Sequence, residues 1–162
     1  MKLKHFFQRE GVYFVTSVTY LRRKIFLEPT NARFLLATIS YHRFILEFKL
    51  FGYVIMPDHL HIIVSPSKKY PLSKIMNFIK GNFARKYNQI YRKTEEHVWQ
   101  KRYYETVLKD KKDLLNRIKY VHNNPIRQKL VENIKDYEFS SYRQYFGETR
   151  EKMQIPIDKL MV

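Results

Sequence analysis

Residues 56–64, MPDHLHIIV, hold two histidines separated by a single leucine. Alternate side chains of a β-strand share a face. His59 and His61 therefore point one way, and Leu60, Ile62 and Val64 point the other way, toward a core. Two imidazoles so placed can ligate one divalent ion. Zinc asks for further nitrogen or sulfur donors, and the chain contains no cysteine. Mg²⁺ or Mn²⁺ accepts water and phosphate oxygens in the rest of its shell. Two surface histidines on a half-exposed sheet fit the same spacing, and His-x-His is too short a pattern to choose between these readings.

A second set of chemical groups lies on a helical pattern beginning at Asp110, a good N-cap, and running to about residue 124. Leu114, Leu115, Ile118 and Val121 make its apolar stripe. Asp113, Arg117, Tyr120 and Asn124 fall on a different face, because steps of three and four residues stay aligned. A tyrosine can serve as a covalent nucleophile, and an amide oxygen can join the shell of a hard metal. Spacing permits these roles for Tyr120 and Asn124 without selecting them. Tyr120 is one of thirteen tyrosines, and Asn124, next to Pro125, fits equally well as the N-cap of a short following helix.

The elements that must position these groups can be read along the chain. A β-branched and aromatic run over 12–20 predicts a strand. Pro29 starts a helix over 29–48, with Phe34, Ala37, Tyr41, Ile45 and Phe48 at helical spacing. Strands follow over 50–56 and 59–64, joined by the turn signal Pro57-Asp58. A helix over 71–90 places Leu72, Ile75, Met76, Ile79, Phe83, Tyr87 and Ile90 on one stripe. A strand spans 102–108, then comes the 110–124 helix, with shorter helical patterns after Pro125 and over 139–146. The order β-α-β-β-α-β followed by helices predicts an α+β, ferredoxin-like fold, an antiparallel sheet with two helices on one face. The histidines then lie on the opposite face, open unless a later helix covers it.

The 162 residues suit one domain over 1–147 with a short C-terminal tail over 148–162, the weak boundary falling at Gly147. Lys and Arg number 31 against 15 Asp and Glu, a net charge of +16. That excess points to a polyanion, with nucleic acid ahead of an anionic membrane surface. Aromatics at 16% suit single strands, where bases stack on rings while cations follow phosphates. Absence of cysteine excludes a disulfide scaffold and a thiol nucleophile. The N-terminus has no signal-peptide core and no apolar run reaches spanning length, so a cytoplasmic, nucleoid-associated protein without membrane contact is expected.

Five blocks in this order carry a specific likeness: GYVIMPDHLHIIV (52–64), FIKGNFARKYN (78–88), VWQKRYYE (98–105), YVHNNPIRQKLV (120–131) and YEFSSYRQYF (137–146). The chain resembles the HUH-type single-strand transposases of small bacterial insertion sequences, and within them the REP-associated tyrosine transposases. The Asn-Pro pair after the tyrosine resembles the REP-associated branch. Asp58 stands where many members of that branch carry Asn. The resemblance implies His59, His61 and Asn124 as ligands of Mg²⁺ or Mn²⁺, and Tyr120 as the nucleophile.

It further implies cleavage and rejoining of single-stranded, hairpin-bearing DNA through a 5′-phosphotyrosine, by a monomer or a homodimer. Arg117, one turn before Tyr120, is a candidate cation for activating it and equally a solvated charge. Arg22, Arg23, Lys24, Lys80, Arg85, Lys101, Arg102 and Arg127 are candidate DNA contacts that act collectively, and Trp99 fits either a base-stacking or a core role, with the core reading ahead. Two other functions fit the composition: a non-catalytic RNA- or single-strand-binding module, which here lacks the RNP-type aromatic motif, and a metal nuclease that uses water.

Overall fold

The computed structural model describes residues 11–94, 96–146 and 155–159. The segments rich in β-branched and aromatic residues form four strands: β1 (Val12–Val18), β2 (Lys49–Met56), β3 (His59–Ser65) and β4 (Tyr104–Leu108). They pair antiparallel in the order β2-β3-β1-β4. Helices α1 (Pro29–Leu46) and α2 (Leu72–Ile90) are the crossovers and pack against one another. This is the ferredoxin-like βαββαβ arrangement, an α+β fold. It continues into α3 (Lys111–Arg127) and a single turn, α4 (Tyr142–Tyr145).

Strand alternation divides the apolar residues into two clusters. Val15, Tyr53, Ile55, Leu60, Ile62 and Val64 meet α1 and α2, together with Phe26, Phe83 and Trp99. Phe14, Phe51, Val54, Met56 and Ile63 meet Leu114, Ile118 and Val121 of α3 on the opposite face. A register shift between Leu50 and Gly52 explains why Leu50 and Tyr53, three apart, share one cluster while Phe51 joins the other. The histidine face is thus roofed by α3.

Several local expectations change. Helix α1 starts at Pro29 under a Glu28 cap and stops at Leu46, because Glu47 turns left-handed. Its buried stripe is Ala32, Leu35, Leu36, Ile39 and Leu46. Ala37, Tyr41 and Ile45 face outward instead, lining an open cleft with Phe78 of α2. The helix has apolar residues on two sides, and only contact with the sheet selects between them. Ile90 and Leu115 are likewise exposed.

Asp110 caps α3 as expected, accepting from the Asp113 amide at 2.9 Å. The helix then runs through Pro125 to Arg127 without forming a separate helix, so Asn124 is not an N-cap. Proline removes only one amide donor in this last turn. Over 139–146 the only helix is the four-residue α4. Ahead of it, Phe139 and Ser141 run along the edge of β2, accepting from the Ile55 amide and donating to the Tyr53 carbonyl. The boundary read at Gly147 lies outside the described residues. Beyond it, Ile155 is buried and Asp158 bonds Leu50 and Arg43.

Candidate active site

The β2–β3 hairpin and its pairing with β1 place the two histidines side by side. Their ring centroids are 4.6 Å apart at a near-perpendicular tilt. His61 lies between Thr16 of β1 and Val54 of β2 in the sheet register, and His59 between Val18 and Met56. Each imidazole uses Nδ1 within the protein. His59 Nδ1 meets Asp58 Oδ1 at 2.6 Å, and His61 Nδ1 meets Thr16 Oγ1 at 2.8 Å. Both Nε2 atoms are left for other chemistry.

Burial beneath α3 lowers the His61 pKa to about 3, aided by the charges of His59 and Arg117 and opposed by Asp58. That ring is neutral at any physiological pH, the form in which imidazole ligates metal. Burial works against the charge on Asp58, but His59 and Arg22 outweigh it and hold the carboxyl below its usual range.

Helix α3 brings Tyr120 to this pair from the other side. Its ring centroid stands 5.7 Å from that of His61 and 5.9 Å, edge-on, from Phe14. The sequence reading set Tyr120 apart from the apolar stripe, yet its half-buried ring packs at the margin of the α3 cluster. Two guanidinium groups flank it. Arg117 lies 5.4 Å from the Tyr120 ring centre and 4.4 Å from that of Phe14, and Arg127 lies 5.1 Å from Tyr120. Such cation–ring contacts are favourable where water is partly excluded. Beside Tyr120, a cleft of about 420 Å³ opens between β4 and α3, lined by Thr106, Lys109, Asn116 and Arg117. Asn124, one turn beyond Tyr120, is 4% exposed, well inside the structure.

Among the described residues no group of three or more His, Cys, Asp and Glu is placed to hold a metal ion. A metal at the histidine pair would therefore take its remaining protein donor from another residue type. An amide oxygen, as on Asn124, is a donor type that a hard cation accepts.

The candidate DNA contacts separate by environment. Arg127 adjoins Tyr120, and Arg22 is exposed but paired with Asp58 at 3.1 Å. Lys24, Lys101 and Arg102 are exposed, and Arg85, also exposed, donates to Asn82 on α2. Arg23 is half-buried, paired with Glu96 at 2.8 Å. Lys80 donates to the Gln100 carbonyl at 3.0 Å, and burial lowers its pKa. Those two tie elements of the fold together. Trp99 is buried between Phe26 and Phe83, its indole donating to the Lys80 carbonyl. The sequence reading missed Phe14 and Thr16. Their signal was alternation on β1, which puts both on one face, but nothing in the sequence said which face.

Comparison with known proteins agrees with this architecture. The family model described as IS200-like transposase matches residues 8–124. A Haemophilus influenzae protein named as a REP-associated tyrosine transposase is 30% identical over 150 residues, covering 84% of this chain and 82% of that protein. The REP-associated tyrosine transposase of Escherichia coli K12 is 24% identical over 140 residues, covering 86% and 81%. A solved REP-associated tyrosine transposase, bound to a REP hairpin, shares the fold with a TM-score of 0.74 at 21% identity, over 93% of this chain and 94% of that one. On the family match and the Haemophilus relative, this chain belongs to the IS200-like transposases and is a member of the REP-associated tyrosine transposase group.

Proposed function

We propose that the protein cleaves and rejoins single-stranded, hairpin-bearing DNA through a covalent 5′-phosphotyrosine on Tyr120, with Mg²⁺ or Mn²⁺ held by His59, His61 and Asn124. The observation that carries this reading is the meeting of Tyr120, two guanidinium groups and the paired histidines across the sheet–α3 interface. The bound ion supplies polarisation of the scissile phosphate and neutralises charge growing on its oxygens.

The chain's own residues do the rest. A free tyrosine titrates near pH 10, so the phenol needs help to react as a phenolate. Arg117 and Arg127 supply positive charge beside the ring, where it can attract the phosphate. The Tyr120 Oη–P bond forms as the P–O3′ bond breaks. The phenol proton is lost to solvent, and the departing O3′ takes up a proton from solvent to leave as a 3′-hydroxyl. Because the phosphodiester is conserved as a phosphotyrosine, a 3′-hydroxyl can attack it in reverse and reseal a strand. The hairpin substrate is supported by the REP hairpin bound to the solved relative and by the net charge of +16.

The test is incubation of hairpin-bearing single strands with Mn²⁺, followed by denaturing electrophoresis. A protein band linked to the 5′-phosphate fragment is expected and should vanish in Tyr120→Phe. Cleavage that persists in Tyr120→Phe without an adduct would establish water as the nucleophile. Tight binding with no cleavage in any metal would leave a binding module.

A further inference from the structure

We propose that Asp58 is a positioning residue that fixes the tautomer of His59, presenting its Nε2 lone pair on the α3 face of the sheet. This inference rests on reading His59 as a metal ligand. An aspartate in a tight β2–β3 turn ordinarily turns its side chain back onto nearby amides. Here neither carboxylate oxygen does so. Oδ1 faces His59 Nδ1 at 2.6 Å, and Oδ2 faces Arg22 Nη1 at 3.1 Å. The turn is held by other groups: the Asp58 carbonyl accepts from the Thr19 amide at 2.9 Å, and the Thr19 hydroxyl, with one hydrogen to donate, lies 2.9 Å from that carbonyl and 2.7 Å from the Arg23 carbonyl. The side chain is therefore anchored at its base by Thr19 and at its far oxygen by Arg22, and its remaining oxygen is aimed at one nitrogen.

A carboxylate can only accept, so His59 Nδ1 must carry the hydrogen. In the neutral ring Nε2 then holds the lone pair. His61 has no such constraint. Its partner, the Thr16 hydroxyl, can donate or accept with equal ease and so permits either tautomer. The pair is asymmetric: His59 is set in advance, and His61 settles its tautomer when a ligand arrives. Arg22 reaches Asp58 from a short turn in which both Leu21 and Arg22 take left-handed φ angles, 54° and 52°. Non-glycine residues rarely occupy that region, and here the conformation carries Arg22 to the carboxylate.

The experiment needs no turnover. Long-range ¹H–¹⁵N NMR on the metal-free protein at pH 8 reads each tautomer, and Mn²⁺ titration followed by EPR reads affinity. The parent should show His59 protonated at Nδ1. Asp58→Asn, whose amide oxygen can still accept, should keep that tautomer and bind Mn²⁺ only a few-fold more weakly. Asp58→Ala should move His59 toward Nε2–H and weaken Mn²⁺ ten- to a hundred-fold. An Nε2–H tautomer for His59 in the parent spectrum overturns the proposal without any variant. So does Asp58→Ala with parental tautomer and affinity while His59→Ala loses Mn²⁺; that result leaves the metal reading standing. Parental Mn²⁺ affinity in His59→Ala defeats the metal reading itself.

Discussion

The two faces of the sheet are built from the same four strands and do different work. Toward α1 and α2, β3 contributes Leu60, Ile62 and Val64, all fully buried, and aromatic and aliphatic groups fill the space without interruption. Toward α3, the same strand contributes His59 and His61 beside the smaller cluster of Phe14, Val54, Ile63 and Ile118. One helix covers that face where two cover the other, and the uncovered margin is where Tyr120, Arg117 and Arg127 assemble. A sheet well buried on one side carries on the other a buried imidazole whose charged form burial disfavours and two guanidinium groups beside a tyrosine ring.

Neighbouring residues on β3 separate the two faces most sharply. His61→Ala should remove metal-dependent cleavage while leaving single-strand affinity of the folded protein close to parental, since phosphate contacts dominate affinity. Ile62→Ala should cost about 2–5 kcal/mol of stability by opening a cavity, measured by denaturant unfolding, with cleavage per folded molecule preserved. Parental cleavage by His61→Ala, or specific inactivation by Ile62→Ala, would erase the division.

A smaller effect concerns acid. His122 is buried on α3, bonded to Ser141 Oγ at 2.9 Å, and burial lowers its pKa to about 4 from 6.5. In the unfolded chain it takes up a proton at higher pH than in the folded one. Its contribution is therefore fully present above pH 6.5 and lost as pH falls toward 4. At roughly 1.4 kcal/mol per pKa unit, a loss of up to a few kcal/mol over that window is expected in unfolding curves. His122→Gln, which cannot titrate, should flatten the slope.

Asn124 sharpens the account of the α3 face. It is not a helix cap, so Asn124→Ser has no capping role to preserve. Asn124→Asp should retain metal-dependent cleavage with altered metal preference, whereas Asn124→Ser, too short to reach a sheet-borne ion, should lose most of it. Equal cleavage by the Ser variant and the parent would leave the metal with two protein ligands. The smallest effect separates adjacent leucines: Leu115→Ala, at an exposed position, should change stability by less than about 0.5 kcal/mol, while Leu114→Ala should cost at least about 2 kcal/mol.

Much of this was legible without coordinates because it is local. Two-residue alternation is a property of extended backbone, so His59 and His61 had to share a face opposite Leu60 and Ile62. The Asp110 cap, the stripe of α2 and the order of the six core elements follow from propensity and period. What remained open was relational. Helix α1 has two apolar sides, and only packing against the sheet chose Leu35 and Ile39 over Tyr41 and Ile45. Asn124-Pro125 reads as a boundary locally, yet the helix runs through it because its last turn can spare one amide. The encounter of Tyr120 and Thr16 with His61, and of Arg22 with Asp58, joins residues far apart in the chain. Periodicity gives a residue its face but not the element that will lie against that face; that depends on how the hairpin, the crossovers and α3 close together around a shared core.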